Sequence, residues 1–260
     1  MTTDTAGRGF SMMGRVALVT GGSRGIGAAI TKCFVSAGAR VAVTHRGTER
    51  NRGQSDVLRE EVGASNFLAI VADASSDTDS LAAVNQVKQH FGQGIDTLVI
   101  NAADLEKVPF DDLTVDQWDH MMAVNLRGAF VAAAHVVPHM RQAGYGKIIT
   151  MGSVMSHIGD PRALHYVTTK GGLIAFSRSL ARAEGAAGIR VNCVVPGAIQ
   201  TERHFEDGGK VELGRLADLQ SVQRGGMPED IGLACQYLAS PAGDFVSGQV
   251  LTVDGGWSNY

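Results

Sequence analysis

The apolar run Val16-Ala17-Leu18-Val19 leads directly into Thr20-Gly21-Gly22-Ser23-Arg24-Gly25-Ile26-Gly27, and a helical stretch from Ala28 to about Ala37 follows. A short strand with no polar face belongs in a parallel sheet covered on both sides. Gly21 permits a tight turn, Gly25 allows backbone to approach a pyrophosphate closely, and Gly27 allows helix and sheet to pack together. The first N–H groups of the helix, with its positive dipole end, then favour phosphate, and Ser23 and Ile26 belong to the same cradle. A plain tight turn is the alternative. The position between a buried strand and a helix, in the first βαβ unit, is the context that a dinucleotide site requires.

The same rhythm continues along the chain. Strands are expected at Arg40–Thr44, Phe67–Val71, Thr97–Ile100, Lys147–Met151, Arg190–Val194 and Leu251–Val253. Helices are expected near Asp79–Phe91, Val115–Arg141 and Tyr166–Glu184. Alternation of this kind predicts an α/β fold, a doubly wound parallel β-sheet with helices on both faces. No Pro/Ser-rich linker divides it, so residues 14–260 read as one domain behind a loose N-terminal tail of residues 1–13. The polar, glycine-containing stretch from about Gln200 to Gly226 breaks the rhythm and reads as a mobile segment over a site.

Composition narrows the function. A hydrophobic content of 44% supplies a sizeable core, and a formal net charge of −3 argues against nucleic acid or an anionic membrane as the main partner. No apolar run is read as a membrane span, and the polar N-terminus lacks a signal-peptide core, which points to the cytoplasm. Cys33, Cys193 and Cys235 are far apart in sequence and read as free thiols. His45, His120 and His135 read as surface or packed helix residues, and no cluster has metal-ligand spacing.

An acid at the end of the second strand would bind the ribose 2′-hydroxyl of NAD, whereas an arginine accommodates the 2′-phosphate of NADP. Here Thr44-His45-Arg46 stands at that point, with Arg24 in the glycine turn. Two guanidinium groups suit a dianionic phosphate, so NADP(H) is the expected cofactor and NAD(H) the alternative. Farther along, Tyr166 and Lys170 are one helical turn apart and share a helix face, with Ser153 upstream. A nearby cation pulls a phenol's pKa toward neutrality, and a serine hydroxyl polarises a substrate carbonyl. A surface tyrosine packing on a lysine stem is the alternative for this short pattern.

Together these motifs resemble the short-chain dehydrogenase/reductase family of the non-extended type, built on the Rossmann fold, over nearly the whole chain from Gly14 to Gly256. Thr20-Gly21 to Gly27 matches its cofactor motif, and Asp73 matches the acid that contacts adenine. Asn101-Ala102-Ala103 matches the segment after the fourth strand in part, with Ile100 and Ala103 departing from it. Asn125, Ser153, Tyr166 and Lys170 match the catalytic tetrad. Pro196, Gly197, Ile199 and Thr201 match the segment lining the nicotinamide. The resemblance implies Tyr166 as general acid or base, Lys170 as the group that lowers its pKa and holds the nicotinamide ribose, Ser153 as a substrate contact, and Asn125 as anchor of a water in a proton relay.

Within the family the chain is most similar to the 3-oxoacyl-acyl-carrier-protein reductases, though Val137-Pro138-His139-Met140-Arg141 carries fewer cations than an acidic carrier would favour. Reduction of a small polar ketone, or oxidation of a sugar or polyol, are alternatives. A non-catalytic NADP-sensing regulator would lack one of Ser153, Tyr166 and Lys170. Pocket walls are expected from Val154–Leu164, from the loop after Asn101 and from the segment after Thr201. Their His157, Asp160, Arg162, His165, Glu202, Arg203 and His204 point to a polar or charged substrate, with a solvated loop side chain as the alternative for each. The resemblance also implies a homotetramer assembled through the Val115–Arg141 and Tyr166–Glu184 helices.

Overall fold

The computed structural model describes residues 9–202 and 218–258. Its seven strands are β1 (Val16–Thr20), β2 (Arg40–His45), β3 (Phe67–Val71), β4 (Thr97–Ile100), β5 (Gly146–Met151), β6 (Ile189–Pro196) and β7 (Val250–Val253). They form a single sheet in the order β3-β2-β1-β4-β5-β6-β7, and every neighbouring pair is parallel. This is the expected doubly wound sheet, with each expected strand in place. The order reverses between β1 and β4, where an open α/β sheet leaves a crevice at its carboxyl edge.

The helices are α1 (Gly25–Ser36), α2 (Glu49–Val62), α3 (Asp77–Phe91), α4 (Val115–Met122), α5 (Gly128–Ala143), the short α6 (Met155–Ile158), α7 (Leu164–Glu184) and α8 (Pro228–Ala239). One apolar core lies where α3, α5 and α7 meet the sheet, through Val84, Val87, Ala129, Val136 and Leu173. The other lies under α1, α2 and α8, through Ile30, Phe34, Leu58, Ile231 and Leu238. The continuous apolar runs of the strands follow from this double cover.

Several expectations need correction. Helices α2 and α8 were not anticipated, and α1 begins at Gly25 rather than Ala28. The helix expected over Val115–Arg141 is interrupted by a π-helical turn, Ala123–Arg127. By length and composition Val115–Ala143 could cross a membrane, against the expectation that no run would; half of its most apolar window is buried in the fold. Residues 9–13 are fastened rather than loose: Met12 is fully buried, its N–H donates to Ala37 O at 2.8 Å, and Gly9 O accepts from Ala242 N–H at 2.8 Å. All three cysteines are free thiols. Most of the segment expected to be mobile, residues 203–217, lies outside the described residues. Its flanks are held, by a parallel bridge between Ile199 and Gly226 and by Gln220, whose amide donates to Asp254 O at 2.9 Å.

Candidate active site

The parallel strands bring the loops after β1, β2, β4, β5 and β6 to one edge of the sheet. A cleft of about 280 Å³ there is lined by Gly21, Ser23, Arg24, Gly25, Ile26 and Gly27 from the first turn, by Arg46 and Asp73 after β2 and β3, and by Asn101, Ala102 and Thr201. The turn is built as its glycines require. Gly21 and Gly25 have φ of +62° and +51°, a region that side chains rarely enter. A Cβ on Gly27 would lie 2.3 Å from Gly21 O, and one on Gly21 would lie 2.9 Å from Ala102 Cα. Arg24 caps α1 in extended conformation with no side-chain hydrogen bond, so the first N–H groups of the helix retain their donor capacity. Asn101 locks the turn from β4: its Nδ2 donates to Thr20 O and Gly21 O, each at 3.0 Å. Thr20 Oγ1 in turn accepts the N–H groups of Asn101 and Ala102, each at 3.0 Å.

Asp73 accepts from Ser75 N–H at 2.8 Å and from its hydroxyl at 2.7 Å. These hydrogen bonds hold its carboxyl below the usual range, and the positive fields of Arg46 and His120 act in the same direction.

The four residues of the expected tetrad cluster farther along the sheet, around the carboxyl end of β5. Lys170 is buried to 3% exposure, and its Nζ donates to Met151 O at 2.7 Å. Burial pushes its pKa down to about 8. Nζ also stands 5.5 Å from the ring centroid of the half-buried Tyr166, one turn earlier on α7. Ser153 is largely buried just past β5; its Oγ accepts from Met155 N–H at 3.3 Å and its carbonyl from Ser156 N–H at 2.9 Å, opening α6. Asn125 sits in the π-helical turn, a distortion that recurs at functional sites. Its Oδ1 accepts Asp104 N–H at 2.8 Å, while Nδ2 donates to Asp104 O at 2.9 Å and to Thr169 Oγ1 at 3.2 Å. It thereby joins the cleft to the residue beside Lys170.

Pro196, Gly197 and Ile199 do not line the cleft. Pro196 O accepts Val154 N–H at 3.0 Å, tying β6 to the Ser153 turn. Gly197 packs so closely that a Cβ would lie 2.6 Å from Asp254 Cα, and Ile199 is buried in the second core. The Ile199 side chain therefore packs inward, which leaves its backbone to make the cofactor contact that the resemblance implies.

Other expectations shift as well. His165 is fully buried and neither ring nitrogen has a hydrogen-bond partner, so it is no exposed substrate contact. His45 is a buried end of β2, not a surface or helix residue, and its Nδ1 accepts Gly47 N–H at 3.0 Å. His135 pairs with Asp77 at 2.8 Å. His120 lines the cleft and bonds Asp104 at 3.0 Å. Glu202 lines the cleft beside Thr201, and its carboxylate accepts from Gln54 of α2 at 2.6 Å. Asp160 accepts Arg162 N–H at 2.8 Å, and Arg162 O accepts Val108 N–H at 2.6 Å, stitching together two loops. His157 is exposed on α6, and Arg203 and His204 lie outside the described residues. Sequence reasoning read Thr20 only as the first residue of the cofactor motif and missed Asp104, whose one signal was an acid directly after the departing Ala103.

Residues 21–258 match the family model described as enoyl-(acyl carrier protein) reductase. The chain belongs to the short-chain dehydrogenase/reductase family. It is 33% identical over 247 residues to a 3-oxoacyl-acyl-carrier-protein reductase of Chlamydia trachomatis, covering 94% of this chain and 98% of that one. It is 34% identical over 252 residues to a D-threitol dehydrogenase of Mycolicibacterium smegmatis, covering 96% and 95%. The crystal structure of a gluconate 5-dehydrogenase from Burkholderia cenocepacia, in complex with NADP and tartrate, superposes with a TM-score of 0.89 at 32% identity and covers 98% of this chain and 99% of that one. The chain is thus a short-chain dehydrogenase/reductase, an oxidoreductase of a family that uses nicotinamide cofactors.

Proposed function

We propose that this short-chain dehydrogenase/reductase interconverts a ketone and a secondary alcohol with NADP(H), using Tyr166 as proton donor and acceptor. The observation that carries the reading is the buried ammonium of Lys170, with its single carbonyl partner, beside the Tyr166 ring. Little water screens a charge there, so it stabilises the phenolate strongly and draws the phenol toward the working pH. Ser153 donates a hydrogen bond to the substrate oxygen and fixes it near the phenol, and Tyr166 gives that oxygen its proton in reduction or removes it in oxidation. Lys170 also holds the nicotinamide ribose hydroxyls, and Asn125 keeps the proton path behind it in register. When bound, the cofactor supplies or accepts the hydride.

The cleft suits that cofactor. The uncapped start of α1 and the side-chain-free surface at Gly21 and Gly25 fit a pyrophosphate, and Arg24 and Arg46 fit a 2′-phosphate. The structural relative bound to NADP supports the same choice.

For the substrate, the primary reading is a 3-oxoacyl group on a carrier, in line with the Chlamydia relative. A second reading, a small polyhydroxylated compound, is favoured by the D-threitol and gluconate 5-dehydrogenase relatives and by the polar loops carrying His157, Asp160 and Arg162. A non-catalytic sensor has no support from a chain that retains Ser153, Tyr166 and Lys170.

A cytoplasmic homotetramer is the proposed assembly. The groove between α4, the π-turn, α5 and α7, lined by Met122, Leu126, Phe130 and Phe176, supports it, with Phe130 60% exposed. A test of the function is NADPH consumption against 3-oxoacyl thioesters, small ketones and keto-sugars, repeated with NADH. Turnover with none of them, in either direction, rejects the reading.

A further inference from the structure

One carboxylate in the cleft has no task in the reaction proposed above. Asp104 Oδ2 stands 3.2 Å from an Arg46 guanidinium nitrogen and 3.0 Å from His120 Nε2, and all three residues line the same cleft. We infer that Asp104 determines cofactor preference by competing with the 2′-phosphate of NADP(H) for Arg46. The inference rests on the proposed role of Arg46 in binding that phosphate.

Its position is fixed rather than incidental. The Asp104 backbone is clamped on both sides by Asn125, which is 1% exposed and bonded in turn to Thr169. The loop therefore holds the carboxylate within reach of Arg46. Arg46 and His120 also face Asp73, so a guanidinium, an imidazole and two carboxylates share this end of the cleft. The consequence differs between the two cofactors. A 2′-hydroxyl makes no claim on a guanidinium, so the Arg46–Asp104 pair persists with NAD(H). Arg46 meets Asp104 through one guanidinium nitrogen, so a dianionic 2′-phosphate has to share the guanidinium with that carboxylate or displace it, and it meets the Asp104 charge either way. His120 remains as the second partner of Asp104, so the carboxylate is not stranded by the exchange. Because the Arg46 side chain is 60% exposed, solvent screens the pair. The handicap on NADP(H) is therefore moderate, roughly threefold to fivefold in affinity. Asp104 thus restrains an arginine-based preference for NADP(H) without abolishing it.

The test is a double-mutant cycle read as the dissociation constants of NADPH and NADH, by fluorescence, for the wild type, Asp104→Asn, Arg46→Ala and the double variant. Asparagine keeps the shape of the side chain, and the Asn125 clamp holds only backbone, so the loop is retained. Expected is NADPH binding tightened roughly threefold to fivefold by Asp104→Asn, NADH changed less than twofold, and no tightening in the Arg46→Ala background. Unchanged or weaker NADPH binding in Asp104→Asn overturns the inference while leaving the NADP(H) reading intact. Equal tightening with and without Arg46 overturns it too, since repulsion alone then acts. If Arg46→Ala binds NADPH as the wild type does, Arg46 is no phosphate ligand and the inference falls, while the NADP(H) reading then rests on Arg24.

Discussion

The ammonium nitrogen of Lys170 lies 5.5 Å from the ring centroid of Tyr166, out of reach of bulk water and hydrogen-bonded to Met151 O at 2.7 Å. A charge that is desolvated and close to a phenol acts on it far more strongly than the same charge at a surface. The reaction proposed here stands on that pair.

Replacing Tyr166 by Phe removes the proton donor and leaves the ring. Turnover should fall by at least about a hundredfold, with the NADPH dissociation constant within twofold of wild type. Steady-state rates and cofactor fluorescence measure the two separately, and substantial residual turnover would sink the mechanism.

Lys170 should cost stability where it serves chemistry. Burial lowers its pKa from 10.5 to about 8, so between those values the unfolded chain binds more protons than the native one. Stability should therefore rise with pH across that window, by a few kcal/mol at most. Lys170→Met should abolish turnover, melt higher than wild type at pH 7, and lose the rise in stability above pH 8. A variant that melts lower at pH 7 would refute this.

His165 predicts the opposite side of the pH scale. Buried with both ring nitrogens unpartnered, it has its pKa pushed below the ordinary 6.5. A base that resists protonation when folded contributes stability above its unfolded pKa, and that stability is lost as pH falls through and below 6.5. His165→Leu should flatten the loss of melting temperature between pH 7 and pH 5. Equal acid sensitivity in wild type and variant would exclude the effect.

Gly27→Ala should be severe. The new methyl would lie 2.3 Å from Gly21 O and 2.8 Å from Asn101 Nδ2, inside a turn held from two strands. Destabilisation of about 2 kcal/mol or more is expected, together with loss of NADPH binding. Denaturant titration and cofactor fluorescence check both, and wild-type values in both would contradict the packing argument.

Phe130→Glu should break the proposed assembly, because it puts a charge at the centre of an exposed apolar groove beside Phe176. Light scattering should report a lower mass than wild type. An unchanged tetramer would move the interface elsewhere.

The strands were legible because a sheet covered on both faces demands uninterrupted apolar runs, and Val16–Val19 or Thr97–Ile100 can be little else. Gly21 and Gly27 were legible because contacts this close exclude any side chain. Helix α2 escaped notice because it buries little more than Ser55 and Leu58 and carries no apolar stripe. The π-turn at Asn125 escaped because one additional residue in a helical turn leaves no mark in a periodic pattern. The burial of His165 and the position of Asp104 depend on loops that meet only in three dimensions, joined by the bond from Val108 N–H to Arg162 O and by the Asn125 clamp. The resemblance to the family carried the roles expected of Ser153, Tyr166 and Lys170, whereas the ion pairs around Arg46 depend on side-chain positions that only the fold sets.

The strand order has a consequence for how the site comes into being. Synthesis supplies β1, β2 and β3 first, and these grow outward in one direction; β4 then returns to the other flank of β1, and β5, β6 and β7 extend the sheet the opposite way. The glycine turn and Arg46 are thus synthesised early, but the turn is locked only once β4 brings Asn101 beside β1. Gly197, which leans on Asp254, has its support only once β7 has docked beside β6. The two ends of the proposed cofactor site thus depend on strands that arrive at different times, β4 for the glycine turn and β7 for Gly197.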